Sequence, residues 1–194
     1  MTFGKTWTYE EQQAYFKSLK RKGYILKNTP PKDFYTAEVS GYNTKDNLLI
    51  QGRAGRGKTY TACAIMRKRS DTESVGLITD SEIIMRAKKC FSSNENEFDF
   101  INRLLVPDLL VIDDLGKFNV TEWSSQIIFA VIDGRIKKDA QTIVTTQFSS
   151  KSLMEKISNG AGEEMADAII SRLGSFRPIT IEGSDKRTWT PTQS

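Results

Sequence analysis

The stretch Asn47-Leu48-Leu49-Ile50-Gln51-Gly52-Arg53-Ala54-Gly55-Arg56-Gly57-Lys58-Thr59-Tyr60-Thr61-Ala62-Cys63-Ala64-Ile65-Met66 decides the fold. It opens on a short apolar run of strand type, Asn47 to Gln51, and closes on a segment that reads as a helix from Tyr60. Between them Gly52 to Thr59 fits the spacing G-x-x-x-x-G-K-S/T of a phosphate-binding loop. Strand, loop and helix in that order are the context such a loop requires. Glycines let the backbone wrap a phosphate closely with its N–H groups turned inward, and the helix N-terminus adds partial positive charge. In that arrangement Lys58 reaches the β- and γ-phosphates and Thr59 offers its hydroxyl to Mg²⁺. Gly52, Arg53, Ala54, Gly55, Arg56, Gly57, Lys58, Thr59 and Tyr60 are the candidate nucleotide-binding set. A glycine-rich surface turn before a helix is the bland alternative, disfavoured because flanks and spacing agree.

Outward from this stretch, strands and helices alternate. Ser74 to Thr79 reads as a second strand, and Thr79 with Glu82 fits a capping box opening a helix through Ile83, Ile84 and Ala87. Phe98, Ile101 and Leu104-Leu105 suggest another helix. Leu109-Leu110-Val111-Ile112 is a continuous apolar run, as expected for a strand covered on both faces. Trp123, Ile127, Ile128, Val131 and Ile132 recur at helical spacing between Thr121 and Lys138. Thr142 to Thr146 reads as a fourth strand, Met165 to Leu173 as a helix, and Pro178 to Glu182 as a last strand. Such alternation predicts an α/β fold, a parallel sheet flanked by helices. Residues 1–45 stand apart as an arm, with a helix expected from a capping box at Thr8 and Glu11 to Lys22 and a break at Asn28-Thr29-Pro30-Pro31. Residues 46–188 form the core and 189–194 a tail.

The apolar run at Leu109 ends in Asp113-Asp114, so both carboxylates emerge at the C-terminal edge of the sheet, where open α/β folds bind ligands. Asp113 is expected in the Mg²⁺ shell, and Asp114 is placed to orient the attacking water. Gln147 ends the next strand on the same edge. It either touches γ-phosphate and water together or is a solvated strand-end residue. Arg172, at a helical end with apolar neighbours, either serves a neighbouring subunit's ATP, where transition-state charge builds, or forms a surface salt bridge. Arg187 is a weaker candidate of the same kind. Arg135 is expected to solvate a helix end rather than serve an interface.

Bulk properties narrow the function. The chain has 194 residues, a net charge of +4, 38% hydrophobic and 27% charged residues, which is ordinary globular composition. It has no histidine, which removes histidine acid–base catalysis and histidine metal ligands, and its two cysteines form neither a disulfide framework nor a zinc spacing. No apolar run of about 18 residues predicts a membrane span. No signal peptide is evident, and the cytoplasm is the expected location.

Taken together, Gly52 to Thr59, Leu109 to Gly116, Thr142 to Gln147, Ser171-Arg172-Leu173 and Gly183 to Arg187 resemble, in order, the motifs of DnaC/DnaI-type helicase loaders and of the IstB transposition ATPases, both of the AAA+ superfamily. The resemblance implies a P-loop NTPase core with a five-stranded parallel sheet in the order 5-1-4-3-2 between helices. A short N-terminal helical arm is expected, and no sizeable C-terminal lid. It implies ATP with Mg²⁺ and a ring or spiral of subunits. By this likeness Lys58 and Thr59 are Walker A contacts, Asp113 and Asp114 the Walker B pair, Gln147 a sensor where the family usually has Asn, Arg172 an arginine finger and Arg187 a sensor-2-like residue. In loaders the insertion before the Walker B strand faces single-stranded DNA. Here it carries Arg86, Lys88, Lys89 and Phe91, which otherwise read as a solvated basic face with Phe91 in the core. The expected function is ATP-dependent loading of a replicative hexameric helicase on single-stranded DNA, with ATP hydrolysis weak in the monomer. Two alternatives are an IstB-like partner of a transposase and a nucleotide-gated helicase-binding module with little catalysis. The arm is shorter than the loaders' usual helicase-binding domain, and the N-terminal zinc site of DnaI-type loaders is not expected.

Overall fold

The computed structural model describes residue 10 and residues 45–70, 72–92 and 96–183. The helix expected over Thr8 to Lys22 lies outside these residues except for Glu10, which is helical. Arg187 and the 189–194 tail lie outside them too. In chain order the elements are β1 (Leu48–Gln51), α1 (Lys58–Arg69), β2 (Val75–Thr79), α2 (Asp80–Cys90), α3 (Glu97–Leu104), β3 (Leu109–Asp113), α4 (Glu122–Lys137), β4 (Gln141–Thr146), α5 (Ser150–Ala161), α6 (Glu163–Gly174) and β5 (Arg177–Thr180).

All strand pairs are parallel and the order across the sheet is β2-β3-β4-β1-β5. Read from the other edge, this is the expected 5-1-4-3-2. Both faces are covered, which explains why the central strands read as unbroken apolar runs. Leu48, Ile50, Leu109, Val111 and Ile143 pack with Ala62, Ile65 and Met66 of α1. The alternate residues Leu49, Leu110, Ile112 and Val144 join the larger cluster built with α2, α4, α5 and α6. Every residue of β3 is buried, Asp113 included.

Helix ends follow their local chemistry. The Thr79 hydroxyl accepts from the Glu82 N–H at 3.2 Å, while the Glu82 carboxylate turns to Arg86 at 2.7 Å. Thr121 and Ser124 form a complete reciprocal cap at the start of α4. Helix α5 is an addition to the sequence reading, which passed over Ser150–Ala161. Its signal was the Ser149 cap, accepting from the Ser152 N–H at 3.1 Å, followed by buried Leu153 and Ile157 one helical turn apart.

Arg135 overturns its expectation. It is fully buried. Its guanidinium donates to the Thr142 hydroxyl at 2.9 Å and to the carbonyls of Leu104, Pro107 and Gln141 at 2.9, 3.0 and 2.6 Å. One planar fork thereby ties the ends of α3 and α4 to the start of β4. Burial pulls its pKa down to about 10.

Candidate functional site

The phosphate loop leaves the C-terminal end of β1 and enters α1 at Lys58. Gly52 is where side-chain absence matters most: a Cβ there would lie 2.5 Å from the Ile181 carbonyl oxygen. The Ile181 N–H donates to the Gln51 carbonyl at 2.7 Å, so the end of the sheet edge presses directly on the loop. Gly57, at φ 91°, turns the chain into α1 through the left-handed region that glycine tolerates. Lys58 is buried, and its ammonium donates back to the Arg53 carbonyl at 3.0 Å, closing the loop on itself. Arg53 and Ala54 are exposed at the loop tip.

The carboxylate strand meets this loop. The Thr59 hydroxyl lies 3.0 and 3.1 Å from the two oxygens of Asp113. Sheet order explains the meeting: β4 separates β1 from β3, and its Thr145 bridges the gap. The Thr145 hydroxyl donates to Asp113 Oδ1 at 2.6 Å and accepts from the Asp114 N–H at 2.9 Å. Sequence reading placed Thr145 only as a strand residue; a hydroxyl at the C-terminal end of the strand between the two motifs was the available signal. A hydroxyl and a carboxylate at hydrogen-bond distance, both beside a lysine-bearing glycine loop, are oxygen donors suited to a hard cation such as Mg²⁺. A glycine-rich loop of this kind suits a phosphate chain.

Asp114 takes a left-handed backbone at φ 62°, a conformation that costs a non-glycine residue about 1 kcal/mol or more and that Asp tolerates better than most. Its carboxylate pairs with Lys117 at 2.8 Å. Gln147 is exposed one residue past β4, on the same edge of the sheet. Arg172 stands elsewhere, in the last turn of α6. Its Nε donates to Asp133 of α4 at 2.9 Å, and its guanidinium lies 5.3 Å from the Phe129 ring centroid. Asp133 is also paired with Lys137 at 2.6 Å, and bonds from Lys137 and Arg172 hold its carboxyl below the usual carboxylate range.

The basic candidates lie along α2. Phe91 is 71% exposed rather than in the core. Its ring centroid is 5.5 Å from that of Trp123, and the Lys88 ammonium lies 6.0 Å from the Trp123 ring. From sequence Trp123 belongs to the α4 apolar spacing; in the structure it is half-buried, with its indole N–H on Glu97 at 3.2 Å. Arg86 is ion-paired to Glu82, while Lys88 and Lys89 are exposed. With Arg103 of α3 they line an open groove.

A family model described as "IstB-like ATP binding protein" matches residues 32–190. The chain belongs to this family. The replicative helicase loader DnaC of Escherichia coli K12 is 30% identical over 131 residues, which are 66% of this chain and 51% of that protein. The chain spans about half the length of the curated relatives it matches. Among solved structures, a DnaC helicase loader superposes with a TM-score of 0.61 at 20% identity, over 78% of this chain and all of that one. DnaI gives 0.61 at 16% identity, over 95% and 89%. AMPPCP-bound DnaA from Aquifex aeolicus gives 0.59 at 19% identity, over 75% and 44%. The fold is that of a P-loop AAA+ protein, and the family is one of ATP-binding proteins. Among the described residues no helix is long and apolar enough to cross a membrane.

Proposed function

We propose that this chain is an ATP-hydrolysing helicase loader, acting in the cytoplasm on single-stranded DNA and a replicative hexameric helicase. The observation that carries the reading is the meeting of the Thr59 hydroxyl with the Asp113 carboxylate beside the Lys58 loop. Bound Mg²⁺ supplies charge neutralisation on the phosphates. Lys58 exchanges the Arg53 carbonyl for phosphate oxygens. Thr59 and Asp113 would hold the metal shell, with Thr145 fixing the Asp113 rotamer. Asp114 orients the attacking water, and Gln147 stands at the same edge to sense it. Tyr60 is the third residue of α1, in its first turn beside the loop.

Arg172 acts in trans on a neighbour's γ-phosphate within a ring or spiral. To do so it leaves Asp133, whose carboxylate stays neutralised by Lys137, so the exchange does not strand an unpaired charge. Lys88 and Lys89 attract the DNA backbone, and the exposed Phe91 against Trp123 offers bases a stacking surface without sequence preference. Arg86 joins them where phosphate competes with Glu82 for its guanidinium. The DnaC relatives, named as replicative helicase loaders, support the choice of partner.

The test is phosphate release with and without a single-stranded oligonucleotide. Wild-type turnover is expected to rise on DNA addition. Arg172→Ala should lose that stimulated turnover by on the order of 10³ while retaining ATP binding. Unchanged stimulated turnover in the variant would remove Arg172 from the mechanism. The IstB-like family match favours a second reading, a transposase partner acting on duplex DNA. Preference for duplex over single strand, with pull-down of a transposase and not a hexameric helicase, would select it.

A further inference from the structure

Asp80 opens α2 immediately after β2 and is fully buried. A buried carboxylate is costly unless its oxygens are satisfied, and here one oxygen is satisfied by a distant loop and the other by the neighbouring serine. Its Oδ2 accepts from three consecutive backbone N–H groups, those of Gly116, Lys117 and Phe118, at 2.8, 2.7 and 3.0 Å. Its Oδ1 accepts from the Ser81 hydroxyl at 2.9 Å. Burial pushes its carboxyl above the ordinary carboxylate range despite these bonds. The gripped loop begins two residues after Asp114.

The same loop is fastened from the other side by β4. The Leu115 N–H donates to the Thr145 carbonyl at 2.8 Å, and the Thr146 hydroxyl donates to the Leu115 carbonyl at 2.6 Å. Gly116 is forced by crowding: a Cβ there would meet the Phe148 ring at 2.7 Å. Lys117, whose N–H is held by Asp80, places its ammonium on Asp114. A continuous set of bonds thus runs from the first turn of α2 through Asp80 and Lys117 to the Asp114 carboxylate. The exposed face of the same helix carries Lys88 and Lys89, and Phe91 caps its far end.

We propose that Asp80 is a positioning residue that ties the Asp114 carboxylate to α2, so that single-stranded DNA on the basic face of α2 is read out at the hydrolytic site. This rests on the ATPase reading above. A purely structural Asp80 would cost stability and leave the coupling between DNA and turnover intact.

The experiment uses the full chain with Asp80→Ala and Ser81→Ala, each checked for folding by circular dichroism. Steady-state ATP turnover is measured with and without an oligo-thymidine, and oligonucleotide affinity by fluorescence anisotropy. Asp80→Ala removes the acceptor of all three N–H bonds; the KM for ATP and the oligonucleotide Kd should stay within about twofold of wild type, while DNA-stimulated kcat falls about tenfold toward the basal value. Ser81→Ala, which removes one bond to the same carboxylate, should reduce stimulation in the same direction by a smaller factor. Wild-type stimulation in folded Asp80→Ala overturns the proposal alone. If Asp80→Ala does not fold, unchanged stimulation in Ser81→Ala overturns it. Wild-type protein that shows no DNA-stimulated turnover overturns the DNA-coupled ATPase reading and this proposal with it.

Discussion

At the scale of single residues, Thr145 is the most informative side chain. Its hydroxyl serves two masters, donating to Asp113 and accepting from the Asp114 N–H. Thr145 itself is fully buried, so neither bond is replaced readily by water. Thr145→Val keeps the shape and removes both bonds. We expect a stability loss of about 1–3 kcal/mol in urea unfolding, and a raised Mg²⁺ requirement for ATP binding by calorimetry. A variant as stable as wild type with the same Mg²⁺ dependence would show that Asp113 is positioned without it. Lys58, Thr59, Asp113 and Asp114 can be singled out in the sequence because they sit in local motifs. Thr145 and Asp80 cannot, because their roles depend on partners tens of residues away, which strand order alone brings into contact. Phe91 was legible as an aromatic; its exposure was not, because an aromatic after an amphipathic helix reads equally well as core.

At the scale of elements, Arg135 is the clearest case. From sequence an arginine in the last turn of a helix is favourable through the helix dipole and needs no further account. The fold places it at the end of α4, where Leu104 closing α3, Pro107 ahead of β3 and Gln141 opening β4 each present a carbonyl to its guanidinium. Arg135→Met keeps much of the apolar stem and abandons those acceptors in the interior. The expected cost is several kcal/mol, on the order of 3, read as a lower urea midpoint. A change under about 0.5 kcal/mol would mean that water satisfies the carbonyls. Helix α5 was passed over for a related reason: its apolar residues are few and its start is serine-rich. Strand β3, by contrast, was unmistakable because two covered faces demand an unbroken apolar run.

At the scale of the whole molecule, the strand order does the functional work. Order β2-β3-β4-β1-β5 puts the phosphate loop and the paired carboxylates at the same sheet edge, two strands apart, with a hydroxyl-bearing strand between them. Alternating strand and helix patterns made an α/β sheet readable, whereas the order itself came only through family resemblance, since crossover lengths do not specify which neighbour a strand chooses. The second layer, α2 with α4, carries the exposed Phe91 against Trp123 and is joined to the carboxylates through Asp80. The same core thus joins the proposed nucleotide site to the basic surface of α2 through the bonds of Asp80 and Lys117.

The Lys58 loop and the Asp113 tip are proposed to form one magnesium–nucleotide site. Titration calorimetry of ATP, with and without Mg²⁺, into wild type, Lys58→Ala and Asp113→Asn tests it most directly. One nucleotide per chain is expected for wild type, with at least about tenfold weaker binding in Lys58→Ala and loss of the Mg²⁺ dependence in Asp113→Asn. Absence of binding to folded wild-type protein, or wild-type affinity in both variants, would contradict it.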